Sequence, residues 1–305
     1  MAIAPWTVTL LIACSLHAPH PGASTAWAQE GQEPPTTRPE REPEGPPEVT
    51  SATHVELARL LAEYESAKKS GDAMELAKAL APMSIHDNLE FAPLALEAMK
   101  YRASKHDKKA AKARAKELDT TSKKELAALI AKREAVVQEA AAHVLANYPE
   151  DKKAVRALEK AFADKGIRKD KPRVVSALVL SFGKLHHGEV EDEVVQLMQR
   201  GVSKEITRAC VKYLGTLPTR DYDHVCLLCT MLASPEPAAV DSPINPPAEY
   251  WENLWAIWNW TRRDVSWALK EITGQVFRPA EGDHESDCEK ALDYVEANRE
   301  ALGLG

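Results

Sequence analysis

From Thr53 onward, apolar residues return every three or four positions, the spacing of one face of an α-helix. Thr53 and Glu56 form a helix-start signal, a hydroxyl acceptor followed three residues later by a carboxylate. Leu57, Leu60, Leu61 and Tyr64 then share one face. Short breaks follow at Ser70-Gly71-Asp72, Pro149-Glu150-Asp151, His187-Gly188 and Leu217-Pro218-Thr219. Each separates runs of about a dozen residues, a length that suits helix hairpins rather than strands. No stretch alternates β-branched with polar residues, so the pattern predicts an all-α fold.

The runs resemble one another. The segments AAAHVLANYPEDKKAVRALEKAF, ALVLSFGKLHHGEVEDEVVQLM and RACVKYLGTLPTRDYDHVCLLCTML align on Leu145, Phe182 and Leu214, which recur at nearly even spacing. Leu80 takes the same place earlier in the chain, far enough ahead of Leu145 to leave room for one degenerate repeat between them. The second helix of each later pair centres on Leu158, Leu197 or Leu228. Self-similarity at the length of one helix pair marks units that bury their apolar faces only against their neighbours. With first helices ending in VLANYPED, SFGKLHHGE and YLGTLPTRD, residues 72–234 resemble a HEAT-repeat protein of the exported bacterial kind. That resemblance implies an α-solenoid that works by binding. It also implies an Asp and an Arg near the turn, for which Asp151 and Arg156 fit.

The regular part spans residues 53–234. Beyond it, SPEPAAVDSPINPPAEY carries five prolines and predicts a loop over 235–248. Residues 249–305 regain helical spacing and are expected to cap the stack, with a last helix from about Asp287 to Leu302. Ahead of the repeats, residues 1–28 hold no Lys, Arg, Asp or Glu. The apolar run Val8 to Ala13 is too short to cross a bilayer, which takes roughly 20 apolar residues. It suits a signal peptide cleaved after Ala26-Trp27-Ala28. Leu11-Ile12-Ala13-Cys14 also resembles a lipobox, which would make Cys14 a lipidated first residue. Either route exports the chain to the periplasm or the exterior, with no transmembrane helix left in the mature protein. Residues 29–52, proline-rich and acidic, cannot bury enough surface to offset their ordering entropy and read as a tether.

Composition sharpens the picture in two places. The net charge of -7 argues against a nucleic-acid binder, yet Lys100 to Arg133 carries 12 Lys or Arg against 4 Asp or Glu. Lys108, Lys109, Lys112 and Lys116 lie in KHDKKAAKARAKEL, where large apolar residues are almost missing. This is either a solvated helix or a patch for an acidic protein, lipid or polysaccharide surface. The second is tryptophan: Trp251, Trp255, Trp258, Trp260 and Trp267 crowd into one short segment. Trp251, Trp255 and Trp258 share one helical face, as packing in a terminal repeat or as a stacking platform for sugar.

His224, Cys226 and Cys229 have partial zinc spacing, but structural zinc needs four ligands and no second pair follows. Cys229 lies on an apolar stripe with Val225, Leu228 and Leu232, and Cys210 on one with Ile206, Tyr213 and Leu217. Cys210 and Cys229 sit about equally far from the turn between their helices, so they are expected to face each other. In an oxidising compartment they form a candidate disulfide. No metal or cofactor motif stands out. The expected function is a non-catalytic protein-binding scaffold of the cell envelope or exterior. Its alternative is a carbohydrate- or envelope-binding module using the Trp-rich end and residues 100–133.

Overall fold

In the computed structural model, which describes residues 49–119, 122–201, 203–218, 220–235, 247–281 and 284–304, helices begin where a short polar side chain can bind free backbone N–H groups. Thr53 caps α1 (His54–Ser70), Asp72 caps α2 (Ala73–Leu80), and Ser104 caps α4 (Lys105–Glu117), which follows α3 (Phe91–Ala98). α5 (Lys123–Leu145) is followed by α6 (Lys152–Ala163) and α7 (Lys165–Asp170), capped by Asp151 and Asp164. Then come α8 (Pro172–Lys184), α9 (Glu191–Gln199), α10 (Lys204–Thr216) and α11 (Tyr222–Thr230), with α10 and α11 capped by Ser203 and Asp221. α12 (Ala248–Thr273) and α13 (Cys288–Ala297) complete the set. Each cap satisfies a donor that the helix cannot, worth about 1 kcal/mol. The described residues form 13 α-helices and no strand, so the fold is all-helical.

One helix from each successive unit joins a continuous row: α2 packs on α5, α5 on α8, α8 on α10, and α10 on α12. The shorter helices line the row's flank, with α6 against α5 and α8, α9 against α10, and α11 against α12 and α13. These contacts are consistent with a helical repeat. The four aligned residues Leu80, Leu145, Phe182 and Leu214 are all buried in the row, as are Leu158, Leu197 and Leu228 beside it. The long interval between Leu80 and Leu145 does not insert another member into the row. α2 meets α5 directly, and the intervening chain is spent on a 3-10 turn, α3, α4 and an extended first half of α5.

The residue after the aligned position is small each time, Ala81, Ala146, Gly183 and Gly215, and at the two glycines row helices cross closely. A Cβ on Gly183 would stand 2.7 Å from Thr216 Oγ1 and 3.3 Å from Tyr213 Cα on α10. One on Gly215 would stand 2.8 Å from Trp267 Cζ3 and 3.0 Å from Ala268 Cα on α12. Glycine is what lets these backbones approach so closely. Past Gly215, Arg220 turns back to cap α10, donating to the carbonyls of Leu214 (2.7 Å) and Gly215 (3.1 Å).

Among the described residues no helix is long and apolar enough to cross a membrane. The leader with Cys14, the tether up to residue 48 and residues 236–246 of the Pro-rich segment lie outside the described residues.

Candidate functional site

The basic segment forms α4 and the first half of α5. α4 buries only Asp107, Ala111 and Ala115, and α5 buries nothing before Ala135. At 100° per residue, Lys105, Lys108, Lys109, Lys112 and Lys116 fall within an arc of about 100° on α4. All five are exposed, and none makes an ion pair among the described residues. The two helices therefore form a hairpin that stands clear of the core and presents one cationic face.

A buried polar network grips the root of this hairpin. Asp107 is fully buried. Its carboxylate accepts the backbone N–H groups of Ala73 and Ser104, both at 3.0 Å, the Tyr101 hydroxyl at 2.5 Å and Arg133 Nε at 2.8 Å. The Ser104 hydroxyl accepts from Asp107 N, completing a capping box, and donates to Gly71 O. Arg133 also donates to Asp72 Oδ1 at 2.6 Å, so α2, α4 and α5 meet at one guanidinium. Next in the chain, Glu134 accepts Lys171 Nζ at 2.7 Å and Ala103 N at 3.0 Å, while Lys171 also donates to Gln138. Burial works to raise the Asp107 carboxyl, but hydrogen bonds from Tyr101, Ala73, Arg133 and Ser104 outweigh it and hold the group down to about 2. Glu134 is likewise lowered, its burial outweighed chiefly by the Lys171 ammonium.

The resemblance pointed to Asp151 and Arg156 as the Asp and the Arg near a turn. Asp151 accepts Lys153 N as the cap of α6, and among the described residues Asp–Arg ion pairs form at Arg133 with Asp72 and Asp107 and at Arg208 with Asp264. The signal for Asp107 was in the sequence, as Ser104-x-x-Asp107. Its partner Arg133, on the next helix, had none.

No known protein family, curated protein or solved structure matches this chain. The reading of its surfaces rests on their geometry.

The Trp-rich segment divides in two. Trp258 is buried and donates to Met231 O at 3.1 Å, and Trp267 packs against the Gly215 crossing. Other rings of α12 emerge: Tyr250 and Trp260 are half exposed and Trp255 is 40% exposed, while Trp251 is partly buried. Lys204 Nζ lies 4.2 Å above the Trp260 ring, covering one of its faces. Along the predicted stripe, Trp251 is thus partly buried, Trp255 exposed and Trp258 in the core.

His224 Nδ1 lies 2.8 Å from Glu191 Oε1. Cys210 and Cys229 are both fully buried, as their stripes predict, and both are free thiols here, as are Cys226 and Cys288. Burial pushes the Cys210 and Cys229 thiols each up to about 12, with Cys226 and Cys288 adding to the effect at Cys229. Alkylation with iodoacetamide, read peptide by peptide, is expected to label Cys226 and Cys288 in the native protein and all four thiols after unfolding without reductant. If Cys210 and Cys229 stay unlabelled after unfolding, they are bridged in the protein as isolated.

Proposed function

We propose that this protein is an exported, non-catalytic binding scaffold, a HEAT-like α-solenoid closed by its C-terminal helices, that engages an acidic protein partner through the α4–α5 hairpin. One observation carries the reading: five lysines fill one exposed arc of a hairpin that adds almost nothing to the core. A structural helix in that position has no need of unpaired like charges, which repel one another. A binding arm does, because a concentrated positive face steers an acidic partner and fixes its register. The uncharged leader and the acidic Pro-rich tether, both read from the sequence, support a working place outside the cytoplasm.

The test is capture from native envelope extract by immobilised wild type and by a variant with Lys108, Lys109, Lys112 and Lys116 changed to Gln. The captured protein is expected to dissociate as salt is raised, since exposed charges are screened beyond roughly 8 Å at physiological ionic strength. Its affinity should fall roughly tenfold or more in the variant. Equal capture by both proteins at all salt concentrations would reduce the arm to a solvated face.

A second reading is favoured by the exposed Tyr250, Trp255 and Trp260, which offer ring faces suited to carbohydrate. Envelope polysaccharide in place of the extract decides between them, since retention there that survives the lysine changes would move the function to α12.

A further inference from the structure

Two groups of carboxylates and imidazoles among the described residues converge closely enough to share an ion: Asp72, His106 and Asp107, and Glu159, His187 and Glu189. In the first, the carboxylates are already engaged. Arg133 binds both, and Tyr101, Ala73 and Ser104 complete the shell of Asp107. A cation entering there would have to displace a guanidinium.

The second group lacks such partners. Glu159 lies on α6, His187 in the turn after α8, and Glu189 in the 3-10 turn Gly188–Val190. Among the described residues no lysine or arginine pairs with either glutamate. The His187 ring is held in place by the Phe182 ring, 5.4 Å away, and its backbone is fixed on both sides. Its N–H donates to Phe182 O at 3.0 Å, and its carbonyl accepts the Tyr213 hydroxyl at 2.9 Å.

The placement of Nε2 is the informative feature. It is shielded from solvent and makes no hydrogen bond, although Glu159 Oε1 lies only 3.1 Å from it. The carboxylate oxygen stands off the axis along which the ring N–H would donate. Two atoms that ligate one zinc ion at roughly 2.0–2.2 Å, at angles between square and tetrahedral, stand roughly 3.0–3.4 Å apart. The Glu159–His187 separation of 3.1 Å fits two neighbouring ligands of one ion, and the missing hydrogen bond, not the distance, sets the pair apart from a donor and its acceptor. The donor atoms of all three residues lie within 4.8 Å of one another.

We propose that Glu159, His187 and Glu189 bind one divalent transition-metal ion, zinc being the best fit, with water completing its coordination. The imidazole selects against magnesium and calcium, which take oxygen ligands, and the two carboxylates balance the charge of a dication. The bound ion joins α6 to the turn that follows α8, bracing one helix pair against the next. It also gives the buried Nε2 the partner it lacks.

The experiment is calorimetric titration of the tag-free, metal-free full chain with zinc chloride alone at neutral pH, followed by thermal melting. Wild type is expected to bind one zinc ion per chain and to melt at a higher temperature with zinc than without. Glu189→Gln, an exposed change that leaves the core untouched, should weaken binding by roughly tenfold or more and remove the thermal shift. His187→Ala should abolish binding. Excess magnesium should not compete. An absence of saturable zinc binding in wild type, or binding that is unchanged in Glu189→Gln, would overturn the site. Equal competition by magnesium would overturn its preference for a transition metal.

Discussion

Replacing Asp107 with Asn will destabilise the protein by about 3 kcal/mol, because it leaves Arg133 facing a neutral amide in a buried network. Losses on breaking such pairs reach about 5 kcal/mol. The lower end applies here because Arg133 keeps Asp72 and its side chain is 20% exposed. Urea denaturation reads the loss, and hydrogen exchange should show α4 losing protection first. A change under about 1 kcal/mol would mean that the network does not hold the hairpin root. The effect also has a pH signature. The Asp107 carboxyl titrates at about 2 in the folded chain, below its ordinary 3.8. Its contribution is therefore present above pH 3.8 and lost as pH falls toward 2, so wild type and variant should converge over that window.

Gly215→Ala is expected to destabilise as well, against the helix propensity of alanine, which alone would favour the change by about 1 kcal/mol. The added methyl would stand 3.0 Å from the Ala268 backbone, and a backbone in a packed row cannot step aside as a side chain can. Overpacking of this kind costs about 1–3 kcal/mol, enough to reverse the propensity gain. At Gly183 the nearest obstacle is the Thr216 hydroxyl, which can rotate, so Gly183→Ala should cost less. Thermal melting of the two variants tests the order. A stabilised Gly215→Ala would show that α10 and α12 are free to move apart.

What could be read in the sequence was whatever repeats at short range. The helical period, the cap at Thr53, and the buried series Leu80, Leu145, Phe182 and Leu214 all follow from spacing. The glycines after Phe182 and Leu214 were visible too, but a glycine near a helix end resembles a terminator. Only the neighbouring helix shows it to be a crossing point. Pairs made by stacking left no trace in the spacing. Arg133 and Asp72 are far apart along the chain, as are Glu159 and His187, yet both pairs are in contact. The Trp stripe was legible as a stripe, but periodicity does not say where along α12 the core stops. The cysteine stripes gave the burial of Cys210 and Cys229.

α5 is one unbroken helix that runs from the exposed hairpin into the buried row. Its outer dozen residues, at about 1.5 Å each, make a lever roughly 18 Å long. The fulcrum is the adjacent pair Arg133 and Glu134, held by opposite charges from α2, α4 and the residue that leads into α8. A pull on the hairpin is therefore delivered as torque to the Asp107 clamp before it reaches the buried row. The protein's first response to load is set by the rupture of buried ion pairs, which salt screens little, so its mechanical strength will fall with acid while its hydrophobic row stays closed.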